Sequence, residues 1–198
     1  MRVINLLGDR FGHSCQKLCD IIRLDYKPDI IIGVLTGGGY VGKEMSQYIS
    51  QYDNHKYIEV RLQRKDTKKK EKGIRYTILQ SLPFFLLNWL RMLEMIIEDM
   101  KAKKSNPTRV GSIELPENID VALKSEKQNV LIVDDAIDTG ATLRMIYDTL
   151  SSRYPLAIMR IAVITVTSNH PLIDADYCLF HDRTLVRFPW SNDVKKKK

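Results

Sequence analysis

The chain lacks the features that define several classes of protein. Its three cysteines form no paired framework, so we predict no disulfide scaffold and favour a reducing, cytoplasmic location. The four histidines are scattered, and we interpret none of them as a metal ligand. The N-terminal stretch lacks the basic, apolar and small-residue layout of a signal peptide, and no internal repeat marks a second domain. A chain of 198 residues is long enough for one domain with its own core and short for two.

Cys15 and Cys19 lie four residues apart on a predicted helix, a spacing at which a pair of metal ligands can occur. No further cysteine or histidine follows in register. The spacing therefore predicts two small buried apolar residues rather than a metal site.

The net charge of +7 is concentrated in two short segments. Residues 64–75 carry seven basic and two acidic side chains, and residues 195–198 are four lysines, so the rest of the chain has a net charge of about −2. A basic face that binds nucleic acid is therefore not predicted. We expect residues 195–198 to form a disordered tail.

Residues 82–104 predict an amphipathic helix, because apolar residues recur at helical spacing. Asn88, Arg91, Glu94 and Glu98 interrupt the apolar stripe and argue against a span through a membrane. The stripe is large for one surface helix. It fits packing on the core, which we favour, and it also fits a dimer interface.

Residues 130–143 carry the most informative pattern in the chain. Four apolar residues run into two adjacent carboxylates, Asp134 and Asp135. A third carboxylate, Asp138, is followed by a polar turn, Thr139-Gly140-Ala141-Thr142, and then by a helical pattern. An apolar run, a polar turn and a helix in this order predict the strand–loop–helix unit of an α/β protein.

The turn has the chemistry of a phosphate site. Gly140 allows close approach of the backbone, the hydroxyls of Thr139 and Thr142 can donate, and the first N–H groups of a helix point at an anion. Carboxylates beside a phosphate repel it unless they hold a metal or bind sugar hydroxyls. Asp134 and Asp135 therefore suggest a ribose with Mg²⁺ nearby.

A second unit of the same kind lies earlier in the chain. Residues 29–35 predict a buried strand, which runs into Thr36-Gly37-Gly38-Gly39, and a helix follows to about residue 52. Both glycine-containing loops come at the carboxyl ends of strands, where open parallel sheets place their ligands.

The rest of the chain predicts shorter elements. We expect a helix at residues 14–24 and strands at residues 3–7, 57–62, 112–115 and 158–167. One or two short strands within residues 177–190 would close over the site.

The acidic motif resembles the phosphoribosyl pyrophosphate (PRPP) signature of the type I phosphoribosyltransferases: apolar strand, acidic pair, spacer, Thr-Gly and closing Thr. The chain is most similar to the 6-oxopurine branch (hypoxanthine and xanthine–guanine enzymes), which has an Asp just before Thr-Gly and a Pro-Trp near the end. The resemblance implies an α/β fold with a central, mostly parallel sheet flanked by helices, a small C-terminal hood and a mobile basic loop. It predicts a single domain over residues 1–194, with residues 64–80 as the flexible lid.

The resemblance also implies the roles of particular residues. Asp134 and Asp135 would bind the ribose 2′- and 3′-hydroxyls and hold Mg²⁺. Thr36, Gly37 and Gly38 match the pyrophosphate loop, and the basic run at residues 64–75 matches the lid. The 5′-phosphate would lie in the cradle formed by Asp138, Thr139, Gly140, Ala141 and Thr142.

For the base, the resemblance makes Asp138 the catalytic residue, which exchanges a proton with the purine N7. The base pocket would comprise Leu185, Val186 and Phe188. Three positions depart from the pattern of the branch. Thr36 stands in place of a basic residue, Leu185 in place of a stacking aromatic ring, and Thr167-Ser168-Asn169 in place of the lysine that reads the 6-oxo group.

The expected activity is Mg²⁺-dependent transfer of a 5-phosphoribosyl group from PRPP to a nucleobase, first of all a 6-oxopurine, with release of pyrophosphate in purine salvage. The partners are then PRPP and a nucleobase, with no nucleic acid and no membrane, and the resemblance implies a homodimer. Two alternatives stay open: a phosphoribosyltransferase with an unusual acceptor, and a PRPP-binding regulator without turnover.

Overall fold

Eight strands and four helices make up the part of the chain that the computed structural model describes: residues 2–64, 111–123, 127–182 and 184–191. The helices are α1 (Asp9–Ile22), α2 (Gly37–Ile49), α3 (Glu117–Leu123) and α4 (Ala141–Arg153). The strands are β1 (Arg2–Asn5), β2 (Ile30–Val34), β3 (Lys56–Arg64), β4 (Gly111–Glu114), β5 (Asn129–Ile137), β6 (Ile158–Val166), β7 (Tyr177–Phe180) and β8 (Thr184–Arg187).

Six strands form one sheet in the order β4-β3-β2-β5-β6-β7. Five of them run parallel, and β4 pairs antiparallel with β3 at the edge. A parallel sheet is covered on both faces, which is why β2 is an apolar run in which every residue is buried. The predicted α/β class, with a mostly parallel sheet flanked by helices, is confirmed.

Alternate residues of the central strands feed two apolar cores, one on each face of the sheet. Leu131 and Val133 pack in the core that α1 and α2 cover. Val130 and Ile132 pack in the core that α3 and α4 cover. Both cores therefore fix the position of β5, the strand that carries the acidic pair.

The two ends of the described chain meet in a separate two-stranded parallel sheet, β1 with β8. Ile4 is in register with Val186, and the amide N–H of Leu6 donates to the carbonyl of Arg187 at 2.9 Å. The hydroxyl of Thr165 in β6 donates to the Thr184 carbonyl at 2.5 Å, which fastens this small sheet to the central one. This is the predicted hood, although the pairing of its two strands was not predicted.

Most predicted elements are present with shifted boundaries, and one prediction is wrong. The helix expected at residues 14–24 begins earlier, at Asp9. The prediction missed its first turn, because that turn is largely exposed and lacks the apolar periodicity. No helix was predicted between the strand at residues 112–115 and the apolar run that begins at residue 130, but α3 lies there. Ile119 and Leu123, four residues apart and both buried, hold α3 on the core. Two buried apolar residues are too few to show a helical pattern in the sequence.

Three predictions concern residues outside the described part: the lid at residues 64–80 beyond its first residue, the amphipathic helix at residues 82–104, and the tail at residues 195–198. Among the helices that are described, none is long and apolar enough to cross a membrane.

Cys15 and Cys19 are buried in the core, as predicted. Burial raises the pKa of both thiols, that of Cys19 to about 12, so neither is ionised near neutral pH. Both side chains therefore act as small apolar residues that join α1 to the sheet.

The packing of β5 between the two cores can be tested by changing one buried and one exposed leucine. Leu131 is fully buried, whereas Leu24 is 83% exposed. Leu131→Ala should lower the free energy of unfolding by about 2–5 kcal/mol, because it leaves a cavity between the sheet and its helices. The matched change Leu24→Ala should alter it by no more than about 0.5 kcal/mol. Urea unfolding measures both, and equal effects would contradict this packing.

Candidate active site

The acidic pair lies within β5 rather than after it. The sequence predicted that the strand ends near residue 133, but parallel pairing with β6 continues to Ile137, with Asp134 opposite Val163 and Ala136 opposite Thr165. The two carboxylates are therefore held by a backbone that the sheet ladder keeps rigid. Both side chains are only half-buried, so a ligand can reach them.

The predicted glycine turn packs directly on this pair. The three glycines form the first turn of α2, after Thr36. Because β2 runs parallel to β5, this turn lies at the carboxyl end of the sheet, next to the carboxyl end of β5. A β-carbon on Gly38 would fall 2.6 Å from the Asp134 Cα, and one on Gly37 would fall 2.6 Å from Asp135 Oδ1. No other residue type fits so close an approach.

Tyr57 holds the turn from the neighbouring strand β3. Its hydroxyl donates to the carbonyl of Gly39 at 2.8 Å, and its ring lies 3.1 Å from where a β-carbon on Gly42 would be. Burial raises the pKa of this phenol, so it stays a neutral donor. The start of α2 is thus fixed on two sides, by β5 and by Tyr57.

Each carboxylate of the pair has a different set of partners. Asp134 Oδ1 accepts the amide N–H of Asp135 at 2.9 Å, and Gly38 packs closely against the same residue. Asp135 Oδ2 instead accepts the indole N–H of Trp190 at 3.0 Å. The Asp134 carboxylate is therefore bonded within its own strand, whereas the Asp135 carboxylate is bonded to the C-terminal segment.

The pair is electrostatically strained. Burial raises the pKa of Asp134 well above its ordinary value, and the charge of Asp135 raises it further. Burial also raises the pKa of Asp135, whereas the bond from Trp190 lowers it. Two adjacent carboxylates that are partly shielded from water favour a proton or a cation between them.

The residues present fit Mg²⁺ in part. Carboxylate oxygens are the hard donors that this ion prefers. Within the residues that the structure describes, no group of three or more His, Cys, Asp or Glu side chains could hold a metal. Asp134 and Asp135 would supply two ligands at most from this group, so water and substrate oxygens would complete the coordination, as is usual for Mg²⁺.

The predicted phosphate loop joins β5 to α4. Gly140 has a φ of 74°, in the left-handed region that favours glycine, and stands immediately before the first residue of α4. The carbonyl of Thr139 accepts the amide N–H of Leu172 at 2.9 Å, which anchors the loop to the segment after β6. Ala141 and Thr142 then open α4, with their amides at its N-terminal end.

Asp138 lies at the exposed end of this loop, and Thr167 orients it. The hydroxyl of Thr167 donates to Asp138 Oδ1 at 2.5 Å, and the amide N–H of Thr167 donates to the Ile137 carbonyl at 2.9 Å. Thr167 occupies the start of the segment in which the resemblance expected a lysine. The structure thus places a hydroxyl beside the predicted catalytic carboxylate.

The predicted base-pocket residues lie in and after β8. Val186 and Phe188 are buried members of the core beneath the hood, and Leu185 is half-buried. The ring of Phe188 stacks on Trp190, with centroids 4.9 Å apart. Phe188 thus supports a neighbouring ring, and the role of all three residues at a base stays a prediction.

Two residues with contacts in the site were not among the predicted site residues: Trp190, which binds Asp135, and Thr167, which binds Asp138. Each had a weak signal, since Trp190 ends the Pro-Trp pair and Thr167 begins the stretch that departs from the family pattern. Neither signal indicated its partner.

Comparisons with known proteins agree with this geometry. The family model described as phosphoribosyl transferase domain matches residues 8–194. The fold is similar to that of a purine phosphoribosyltransferase from Pyrococcus horikoshii Ot3, with a TM-score of 0.63 and 19% identity over 100% of this chain and 99% of that one.

Two further structures share the fold. One is a xanthine-guanine-hypoxanthine phosphoribosyltransferase from Helicobacter pylori (TM-score 0.56, 13% identity, 96% of this chain and 90% of that one). The other is a hypothetical protein from Neisseria gonorrhoeae with bound ppGpp (TM-score 0.57, 14% identity, 96% of this chain and 89% of that one). A sequence comparison with curated proteins gives no significant match.

Because the family model covers nearly the whole chain, the protein belongs to the phosphoribosyl transferase domain family. It is a transferase enzyme of the phosphoribosyltransferase class, as the acidic motif predicted.

The close approach of α2 to β5 makes a direct prediction. Gly38→Ala should lower the free energy of unfolding by about 1–3 kcal/mol, because the new methyl group meets the backbone of Val133 and Asp134. Gly12→Ala in α1 is the matched control. Its methyl group meets only Glu44 Oε1, at the end of a side chain that can move.

The control should therefore leave stability unchanged or raise it by up to about 1 kcal/mol, the helix preference of alanine over glycine. Urea unfolding at one pH compares the two variants. If Gly38→Ala is as stable as Gly12→Ala, the glycine turn does not pack on the acidic pair.

Proposed function

We propose that the protein transfers the 5-phosphoribosyl group of PRPP to a nucleobase, with a 6-oxopurine as acceptor, and releases pyrophosphate in a Mg²⁺-dependent reaction. The proposal is drawn from the arrangement of the site and from family membership. It assigns a substrate, a metal and an acceptor to this chain.

One observation carries the proposal: the glycine turn of α2 packs against the acidic pair of β5, which itself leads into the loop before α4. PRPP has a 5′-phosphate at one end, ribose hydroxyls in the middle and a diphosphate on C1. The loop of residues 138–142, the pair Asp134 and Asp135, and the turn of Thr36, Gly37 and Gly38 form a matching series. Glycines and helix N-termini suit the two anionic ends, and carboxylates suit the hydroxyls.

In this assignment Asp134 and Asp135 accept hydrogen bonds from the ribose 2′- and 3′-hydroxyls and contribute oxygens to Mg²⁺. When bound, the ion offsets the repulsion within the pair and the negative charge of the diphosphate. Asp134 also packs against Gly38 of the glycine turn.

The chemistry is a substitution at C1 of the ribose. A ring nitrogen of the base forms the new bond to C1 while the bond from C1 to the pyrophosphate oxygen breaks, and the electron pair leaves with pyrophosphate. Positive charge develops on the sugar, and the half-buried pair of carboxylates stabilises it. The proton that the base loses passes to Asp138.

Support for a purine acceptor comes from Asp138. Its carboxylate is held by the Thr167 hydroxyl, so it is oriented before a base arrives. Two of the structures that share the fold are described as purine phosphoribosyltransferases. Thr167 stands in place of a cation that would select a 6-oxo group, so we expect weaker discrimination at that position of the base.

The test is pyrophosphate release from PRPP and Mg²⁺ with hypoxanthine, guanine, xanthine, adenine, orotate and uracil offered separately. We expect release with at least one of the three oxopurines. Release only with adenine or a pyrimidine would refute the oxopurine acceptor. Tight PRPP binding without release for any base would favour an unusual acceptor or a regulator.

The acidic pair can be tested with a double substitution. Asp134→Asn with Asp135→Asn should abolish pyrophosphate release. Burial and repulsion raise the pKa of both carboxyls in the folded state. Their ionisation therefore destabilises the fold above the folded pKa, and this cost is absent below the unfolded value of about 4. At pH 7 the neutral variant should be at least as stable as the wild type.

The matched control is Asp148→Asn, on the exposed face of α4. This change breaks only a surface ion pair with Arg144 and should leave both the rate and the stability unchanged. Wild-type turnover in the double variant would remove the role assigned to the pair.

Asp138→Asn separates chemistry from binding. Its amide oxygen can still accept from Thr167, but the side chain can no longer take a proton. We expect kcat to fall by about 10²–10⁴-fold, the usual contribution of general acid–base catalysis. The dissociation constant of PRPP, measured by calorimetry, should hardly change. An equal loss in both would mean that Asp138 only shapes the loop.

The cytoplasmic location and the homodimer stay predictions. Light scattering of the purified protein reports the second directly.

A further inference from the structure

Trp190 makes a contact that the proposed reaction does not yet explain. Its indole N–H donates to Asp135 Oδ2 at 3.0 Å, across a sequence separation of 55 residues. An indole N–H is a donor only, and a half-buried one requires an acceptor. Here that acceptor is a carboxylate of the acidic pair rather than a backbone carbonyl.

Three other rings hold the indole in place. Phe188 stacks on it at 4.9 Å between centroids with an interplanar angle of 8°, and Tyr40 stacks at 4.8 Å with an angle of 18°. Phe11 meets it edge-on at 5.2 Å and 90°. These contacts come from α1, α2 and the segment after β8, so the direction of the N–H is fixed by three parts of the fold.

The glycine turn contacts the Asp135 carboxylate as well. A β-carbon on Gly37 would overlap Oδ2, the oxygen that accepts from Trp190, and would fall 2.6 Å from Oδ1. The carboxylate is therefore in contact with both the glycine turn and the indole. A neutral donor such as an indole lets the carboxylate keep its negative charge, whereas a lysine or arginine in its place would neutralise it.

We propose that Trp190 is a positioning residue that holds the Asp135 carboxylate in the orientation that receives PRPP. This inference rests on the proposed function. It gives the C-terminal segment, residues 184–191, a task beyond covering the base, because the segment orients a group that binds the sugar. It also gives Tyr40 and Phe188 a shared task, since both fix the plane of the indole.

Trp190→Phe removes the donor and keeps an aromatic ring between Phe188 and Tyr40. We expect the dissociation constant of PRPP, measured by calorimetry with Mg²⁺, to rise by about 10- to 100-fold, the range for loss of a hydrogen bond to a charged group. KM for PRPP should rise in parallel, while KM for the base stays unchanged. A uniform loss of stability would not produce this split.

The matched control is Tyr154→Phe. The Tyr154 hydroxyl donates to Asp120 Oδ1 at 2.7 Å, so this variant also removes an aromatic donor from a carboxylate, but at the far end of α4. It should bind PRPP as the wild type does. If Trp190→Phe also binds PRPP as the wild type does, the positioning role is refuted.

A spectroscopic measurement tests the contact without turnover. The protein has two tryptophans, and Trp89→Phe identifies the indole N–H signal of Trp190 in a ¹H–¹⁵N spectrum. Asp135→Asn should move that signal, because a carboxylate partner becomes an amide, whereas Asp148→Asn should not. No movement with Asp135→Asn would overturn the inference even if Trp190→Phe proved unstable.

PRPP binding by the wild type and by Trp190→Phe distinguishes failure of the proposed function from failure of the positioning role. If the wild-type protein does not bind PRPP with Mg²⁺, the proposed function fails and the positioning role for PRPP fails with it, even if the indole signal responds to Asp135→Asn. If the wild type binds PRPP and Trp190→Phe does not weaken it, only the inference about Trp190 fails.

Discussion

The site depends on the direct packing of the first turn of α2 against β5. Gly37 and Gly38 allow it, because side chains there would occupy the space of Asp135 and of the β5 backbone. Parallel pairing aligns β2 with β5. The glycine turn, the acidic pair and the loop before α4 therefore all lie at the carboxyl ends of these two strands.

This packing has an electrostatic cost that indicates a ligand. It partly shields Asp134 and Asp135 from water and sets them side by side, so their pKa values rise. A protein that needed only stability would be served by apolar residues at the end of a buried strand. Two carboxylates at this position fit a site that receives hydroxyls and a cation. They lower the stability of the fold in exchange for binding a ligand.

The sequence was sufficient to predict those parts of the site whose residues lie close together in the chain. The acidic pair, Asp138 and the glycine turn each lie within a single strand–loop–helix unit, where periodicity and residue chemistry are informative. The contacts of Trp190 with Asp135 and of Thr167 with Asp138 join residues 55 and 29 positions apart, and no local pattern encodes such a pairing. The pairing of β1 with β8 was missed for the same reason. The helix α3 was missed because its fully buried apolar residues, Ile119 and Leu123, are too few to show a helical pattern.

A crystal structure of the protein grown with PRPP and Mg²⁺ would show directly whether the site binds this substrate. We expect the ribose hydroxyls against Asp134 and Asp135, the 5′-phosphate against the amides of residues 138–142, and the diphosphate at the turn of Gly37 and Gly38. PRPP bound elsewhere, or ribose hydroxyls without contact to the acidic pair, would refute this assignment.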